Sequence, residues 1–478
     1  MLSVKRNFIF NIALIGSNIM FPILVFPYVA RVLGPEGLGN AHFALQFSKY
    51  FMLTASLGIP IYGVREVAKA KDDKMQLNKL VSELIILNLF TALFSAIVYA
   101  ILLFTVPVLQ SQFPLFAVAG IQVVLGFLSI DWLFSGLEDF RIITIRSVTM
   151  RILTLIFLVW LVKQPTDVFN YLVLVVSGVI LGHLLNVVYA LTKVKITLSN
   201  LNLSRHFKPI FVIFLINICI TMYTVFDTAW IGFLAVPASI GIYSSAIKLT
   251  KIGIPVVTAL GTVLIPKTAR NFASDIKHPQ HLTTSYNFIV DLAIPVGFGL
   301  FYLAPELIRV FSGEAFGQAV TAMRMFSCLP FIIGLNNLFG MQVLSASGND
   351  KLLLVAVFIG MLTNVLLNVI LIPSFLHNGA ALAMLLTEVV VMLVTFYYVH
   401  QKFAISFKFS RILKSVLLSC LFLPIMYLSK SLLSKEEMIV LVNVIVCAFV
   451  YGVLQHFLFK NEFTYIFINL IQRKLKRA

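Results

Sequence analysis

Runs of about twenty apolar residues recur along the whole chain, and no other feature constrains its fold as tightly. A helix that crosses a hydrocarbon core needs about 20 mostly apolar residues. Fourteen stretches meet that length, near 8–30, 40–62, 80–105, 114–134, 143–162, 170–191, 209–234, 238–264, 285–308, 317–345, 352–373, 379–400, 412–429 and 438–458. No connection between them exceeds roughly twenty residues, which leaves no room for an extramembrane domain. The spacing predicts an all-α polytopic membrane protein divided by the bilayer rather than by soluble cores.

Composition excludes the soluble alternatives. Hydrophobic residues make up 60% of the chain and charged ones 12%, against about 45–50% and 25% in ordinary soluble proteins. So few charges cannot cover a soluble globule of 53.4 kDa. A soluble enzyme or nucleic-acid-binding protein is therefore ruled out, despite a net charge of +17. The basic residues form no soluble patch that would imply a nucleic-acid partner. Cys219, Cys328, Cys420 and Cys447 lie in apolar runs, with neither a disulfide framework nor metal-ligand spacing. Lys5 and Arg6 precede an apolar run that continues to about Arg31 without a small-residue cleavage site, so it reads as a retained first span.

The charges also set an orientation. With the N-terminus inside, 27 of the 36 Lys and Arg fall in cytoplasmic segments and four in external ones. The inner set includes Arg65, Lys69, Lys71, Lys74 and Lys79 after span 2, and Lys193, Lys195, Arg205 and Lys208 after span 6. Arg473, Lys474, Lys476 and Arg477 follow in the tail. The bias follows the positive-inside rule and places both termini in the cytoplasm.

An internal repeat has an offset of 202 residues: 39–49, GNAHFALQFSK, aligns with 241–251, GIYSSAIKLTK. Gly39, Ala44 and Lys49 match Gly241, Ala246 and Lys251, and Arg65 and Lys267 keep the same offset. Spans 2 and 8 then correspond, and the six spans separating them make the repeat parallel. The expected division is a lobe of spans 1–6 (1–200), a lobe of spans 7–12 (201–405), and two trailing spans with a basic tail (406–478).

Five basic residues remain at membrane-embedded or membrane-end positions: Lys49, Lys248, Lys251, Arg309 and Arg324. A charge at the bilayer centre costs about 2.5–3.5 kcal/mol on insertion scales and needs a partner or a watery cavity. His42, Gln46 and Lys49 share one helical face, and Ser244, Lys248 and Lys251 occupy the equivalent positions. These two stripes are the expected cavity walls, with Arg324 a further candidate. The competing reading is snorkelling, in which each lysine stretches to the nearer interface. The embedded acids Asp227, Asp291 and Glu388 are candidates for ion coupling or for structural pairing. Asp227 stands out, because Asn217, Thr221, Thr224 and Thr228 form a polar stripe beside it. Pro22 and Pro27, among Asn7, Asn11 and Asn18, mark span 1 as a hinge or gating element. Asn364 and Asn368 read as interhelical contacts.

GPEGLG (34–39) has neither the Lys-Ser/Thr nor the preceding strand of a phosphate loop, and reads as an external turn. No HExxH, CxxC, Walker or GxSxG motif occurs, so nothing points to an enzyme, a metal or a cofactor.

Three stretches resemble bacterial polysaccharide transporters. FPYVARVLGPEGLGN (26–40) is similar to their first turn, with Gly34 inside it. IDWLFSGLEDFRIITIRS (130–147) carries Asp131, Trp132, Phe134, Gly136, Leu137 and Glu138 in a Trp-x-x-x-Gly-x-Glu pattern. FDTAWIGFLAVPASIGIYSSAIKL, at the junction of spans 7 and 8, is similar to a third characteristic stretch. Over its whole length the chain resembles the Wzx-type flippases of the multidrug/oligosaccharidyl-lipid/polysaccharide (MOP) exporter superfamily. The resemblance implies two six-helix lobes plus two trailing helices around a V-shaped cavity. It also implies transfer of an undecaprenyl-diphosphate-linked oligosaccharide from the cytoplasmic to the periplasmic leaflet of a bacterial inner membrane by alternating access. In that family, basic residues of cavity-lining helices hold the anionic substrate, a role that falls here on Lys49, Lys248 and Lys251. Other polysaccharide-assembly membrane proteins are further partners it suggests. One departure is that span 1 carries no arginine at cavity depth, unlike the lipid II flippase relatives. Alternatives are a multidrug exporter of the same superfamily, which would have twelve helices and an acidic cavity, and a polytopic polysaccharide polymerase or glycosyltransferase, which would have a long external loop. A purely structural membrane protein gives no reason for symmetric lysines at depth.

Overall fold

The computed structural model describes residues 2–199, 201–224, 226–274, 280–403 and 409–459. The basic tail lies outside the described residues. All regular structure among the described residues is helical. Among the described residues, eleven helices are long and apolar enough to cross a membrane, or twelve if the bent pair Phe113–Val124 and Gly126–Gly136 is one span. Large apolar side chains such as Phe94, Trp160 and Phe449 are exposed along them, which suits lipid and not water. The chain is a multi-pass membrane protein.

The fourteen expected spans do not stand as fourteen separate helices. Two pairs run together without a loop. α1 (Leu2–Ser56) is 55 residues long and turns at Gly34, whose φ of 67° is left-handed. At 1.5 Å per residue that length is about 80 Å, far more than one crossing needs. Only Gly34 of the GPEGLG stretch is therefore a turn, and Pro35 restarts the helix from a position it tolerates.

Two compact units divide the chain, Met1–Gly241 and Ile242–Ala478. In the first, α1 is followed by α2 (Ile59–Ala70), α3 (Lys74–Thr105), the single turn α4 (Pro107–Gln110), α5 (Phe113–Val124), α6 (Asp131–Gly136), α7 (Phe140–Leu161), α8 (Val168–Lys193), α9 (Ser204–Thr224) and α10 (Asp227–Leu234). Three expected spans are revised here. Span 2 stops at Ser56, because Leu57 and Gly58 adopt positive φ and redirect the chain into α2. Span 4 ends at Val124 and bends by 43° into α6. Span 7 is broken into α9 and α10 just before Asp227. The side chain of Asp73 caps α3, accepting from the backbone N–H groups of Met75 and Gln76 at 2.9 and 3.1 Å.

The core of this unit joins α2, α3 and α6 through Ile59, Tyr62, Leu80, Leu84, Trp132, Leu133 and Phe134. Two glycines permit the approach. A Cβ on Gly63 would lie 2.6 Å from the Trp132 ring, and one on Gly136 would lie 2.7 Å from Val67. The Trp-x-x-x-Gly-x-Glu pattern around Trp132 is thus first a packing device between α2 and α6.

α11 (Pro237–Ala273) begins at the end of the first unit. Its first turn meets the turn of α1 reciprocally. A Cβ on Gly39 would sit 1.9 Å from the Pro237 carbonyl oxygen, and one on Gly241 would sit 2.0 Å from that of Pro35. All four residues lie in the first unit and obey the 202-residue offset.

The second unit continues with α12 (Gln280–Tyr302), α13 (Ala304–Ser312), α14 (Ala319–Phe326) and α15 (Leu329–Asn336). A π-helical stretch, Asn337–Ser345, then leads to α16 (Asp350–Phe403), which turns at Leu376. The expected span 317–345 is therefore three pieces, interrupted where Ser327, Cys328 and Pro330 intervene. Its core gathers Val257, Tyr286, Ile289, Val290, Leu338 and Phe339. The trailing helices α17 (Phe409–Cys420), α18 (Phe422–Leu432) and α19 (Glu436–Phe459) pack on it. Lys430 pairs with Glu306 at 2.7 Å, Arg309 pairs with Glu436, and Ser415 and Tyr451 are 2.7 Å apart.

Candidate functional site

The lysine stripes are built alike in the two copies. On α1, His42 is buried against Phe26, with ring centroids 6.1 Å apart, Gln46 is half-buried, and Lys49 is exposed. On α11, Ser244 is buried, Lys248 half-buried and Lys251 exposed. Lys49 and Lys251 each lie fourteen residues past the proline that starts the helical segment, about 21 Å along the axis. A lysine stem spans only part of that distance. The same gradient from buried to exposed therefore repeats at the same offset, and each stripe ends in a lysine.

Tyr50, next to Lys49, packs on Phe226 with centroids 4.5 Å apart, which brings this turn of α1 beside the start of α10. There Asp227 is 1% exposed and Thr228 is buried. The break before α10 interrupts the polar stripe expected through Asn217, Thr221 and Thr228, and the side chain of Thr224 lies outside the described residues. Glu388 and Asp291 each bind side chains of other helices. Glu388, in α16, is buried and accepts from the Asn336 amide at 2.6 Å. Asp291 accepts from Arg411 through Nε at 3.0 Å and again through Nη2, with Gln455 beside it, which ties α12 to α17 and α19. Arg324 is exposed and its guanidinium lies 5.5 Å over the Phe301 ring. That ring also lines an apolar cavity of 430 Å³ with Phe298, Tyr302, Phe331, Ile412 and Val416.

In the first unit the family-like stretch divides into roles. Trp132 and Gly136 pack. Glu138 holds a left-handed φ of 59° and pairs with Lys71 at 3.4 Å. Asp131 binds Arg146 through both oxygens, at 3.0 and 3.2 Å, and also accepts from Asn186. Pro22 is exposed and Pro27 half-buried, both inside the continuous first half of α1.

Two clusters escape sequence reasoning. The charge count assigned Arg146 and Arg151 to the cytoplasmic side, but α7 begins at Phe140 and carries them 6 and 11 residues inward, about 9 and 16 Å. Arg151 donates to Ser17 and Asn18 on α1. The second cluster centres on Glu83, which is fully buried in α3. It accepts from the Asn202 N–H at 2.7 Å, from Arg205, and pairs with His206 Nε2 at 2.9 Å, while Tyr62 bonds the other ring nitrogen at 2.7 Å. Asn78 and Ser82 fix Lys195 and Thr197 of the same connection, both at 2.9 Å. An acid inside an apolar run was the available signal for Glu83.

The sequence signature of the family described as "Polysaccharide biosynthesis protein" matches residues 4–272, and that of "Lipid II flippase MurJ" matches residues 143–451. A putative O-antigen transporter of Escherichia coli is 26% identical over 402 residues, covering 82% of this chain and 95% of the relative. One from Shigella dysenteriae is 22% identical over 395 residues, covering 82% and 98%. Among solved structures, the lipid II flippase MurJ in an inward closed conformation superposes with a TM-score of 0.78 at 17% identity, covering 95% and 99% of the two chains. An inward-facing multidrug-resistance MATE transporter of the MOP superfamily superposes with 0.62 at 14% identity, covering 80% and 94%. These likenesses establish the MOP fold.

Proposed function

The chain belongs to the polysaccharide biosynthesis protein family, and we propose that it is a flippase carrying a polyprenyl-diphosphate-linked oligosaccharide, such as an O-antigen or capsule-type repeat unit, across a bacterial inner membrane. The relatives named as O-antigen transporters support the substrate class. The observation that carries the site is the repeated gradient ending in Lys49 and Lys251, with Lys248 three residues before Lys251.

A diphosphate carries about two negative charges, and holding them away from bulk water requires opposite charge or dense hydrogen bonding. Three lysines suffice in sign and number, with Gln46, His42 and Arg324 as supporting polar groups. The prenyl tail stays in lipid while the glycan crosses by alternating access, with Pro22 and Pro27 bending α1. Both termini face the cytoplasm, and the repeat divides the chain at 1–200, 201–405 and 406–478. Asp227 and Glu388, both buried, are the candidates for ion coupling, and Asp291 has its charge balanced by Arg411. Other polysaccharide-assembly proteins of the membrane are the expected partners.

Complementation of a flippase-null strain tests the reading. Lys49→Ala and Lys251→Ala are each expected to abolish complementation at normal expression. Full activity in both variants would discard the lysine assignment.

A further inference from the structure

A cationic cavity lies wholly within the first unit. It measures 360 Å³ and is lined from α1 by Leu14, Asn18 and Phe21, from α7 by Arg146 and Arg151, and from α8 by His183. Asp131 reaches it from the start of α6. With His183 neutral, two arginines and one carboxylate leave a net positive charge. The carboxylate is committed to Arg146, which it grips through both oxygens. Arg151 donates only to the neutral oxygens of Ser17 and Asn18, with its guanidinium 6.0 Å over the Phe21 ring. No acid pairs with Arg151 among the described residues.

Unused donor capacity points the same way. The Nε of Arg146 and the Nδ1 of His183 are buried without a hydrogen-bond partner among the described residues. Arg146 Nε–H can only donate, and leaving such a charged donor unmet costs more than a neutral one. Arg151 stands halfway along α7, where an uncompensated charge is expensive. A ligand that answers the two arginines has several acceptor oxygens and negative charge. Planar guanidinium groups match a phosphoryl group in that way.

The geometry points to a phosphoryl-binding site in this cavity, with Arg151 as the main ligand and Arg146 held in place by Asp131. The bound group is a phosphate ester, either the diphosphate of a lipid-linked glycan or the headgroup of a phospholipid. The site is separate from the lysine stripes, and only the first of these sources rests on the flippase reading.

Thermal melting of the purified full-length protein in increasing sodium pyrophosphate, against sodium chloride at matched ionic strength, reads the site directly. The expected result is a saturable rise in melting temperature for the unaltered protein. Arg151→Gln is expected to weaken pyrophosphate binding about ten- to hundred-fold. Arg151→Lys keeps the charge, loses the fork, and is expected to bind about tenfold more weakly. It carries the test if Arg151→Gln does not fold. Native mass spectrometry of the same proteins with phosphatidylglycerol reads the other source, as a retained lipid lost in the Arg151 variants. Unchanged pyrophosphate affinity together with unchanged lipid retention in a folded Arg151 variant overturns the proposal. Because Lys49 is intact in those variants, that result leaves the flippase reading standing, whereas failure of the complementation test leaves this site standing.

Discussion

Gly39→Ala sets two effects of opposite sign against each other. In an open helix, replacing glycine by alanine stabilises by about 0.5–1 kcal/mol, because the unfolded chain has less freedom to lose. At Gly39 the new Cβ would lie 1.9 Å from the Pro237 oxygen and 2.7 Å from its carbonyl carbon, where real contacts essentially never fall below 3.0 Å. The obstacle is backbone in the first turn of α11, so no side-chain rotation relieves it. The helices have to separate by more than 1 Å, and overpacking of this kind costs about 1–3 kcal/mol. Gly299 provides the control, since a Cβ there meets nothing within 4 Å. Gly39→Ala is therefore expected to unfold about 1–3 kcal/mol more easily than Gly299→Ala, a difference of several degrees in melting temperature for a unit of this size. Tryptophan fluorescence during heating of the detergent-solubilised protein measures it. Gly241→Ala should behave like Gly39→Ala, and the double variant should lose less than twice as much, because the first displacement makes room for the second. If Gly39→Ala melts with Gly299→Ala or above it, the reciprocal contact is not as close as described.

Glu83→Ala is expected to cost about 3–5 kcal/mol, because it strands the buried His206 and the Asn202 N–H together. Arg205→Ala removes a half-exposed partner of the same carboxylate and should cost under about 1 kcal/mol; melting temperatures compare the two, and limited proteolysis should show new cleavage within 194–204 only for Glu83→Ala. Trp132→Ala is expected to cost about 3–5 kcal/mol as a large buried side chain, and Gly63→Val about 1–3 kcal/mol by driving a branched side chain into the Trp132 ring. Folded yield and melting temperature check both, and a neutral Gly63→Val would show that α2 and α6 do not meet as described.

Much of the fold is legible in hydropathy alone, because lipid forces each span to satisfy its own backbone. The lysine stripes were legible too, since Lys49 and Lys251 stand at fixed offsets in apolar runs. What hydropathy conceals is where helices bend. Gly34 and Leu376 turn the chain with so little loop that the helices on either side run together, while Gly58 and the residues before Asp227 break runs that look continuous. The arginine cavity was hidden for another reason. Arg146 and Arg151 stand in the first part and at the middle of an apolar run whose leading end a count by loops assigns to the inner surface. Their surroundings come from positions far away in sequence, Ser17 and Asn18 at one end and His183 and Asn186 at the other. Likewise, Gly63 and Trp132 show their relation only when α2 and α6 are placed side by side.

The lacing of Glu83 bears on the order in which the protein is made. Its partners Asn202, Arg205 and His206 follow it by 119, 122 and 123 residues. A ribosome adding about 5–20 residues per second needs roughly 6–25 s to reach them. Through that interval α3 holds a carboxylate with none of its three donors, and a lone buried charge costs several kcal/mol. The Glu83 end of α3 therefore stays hydrated while spans 4, 5 and 6 are inserted, and it closes only when the connection to α9 emerges. The seventh span thus begins with the step that completes the first six.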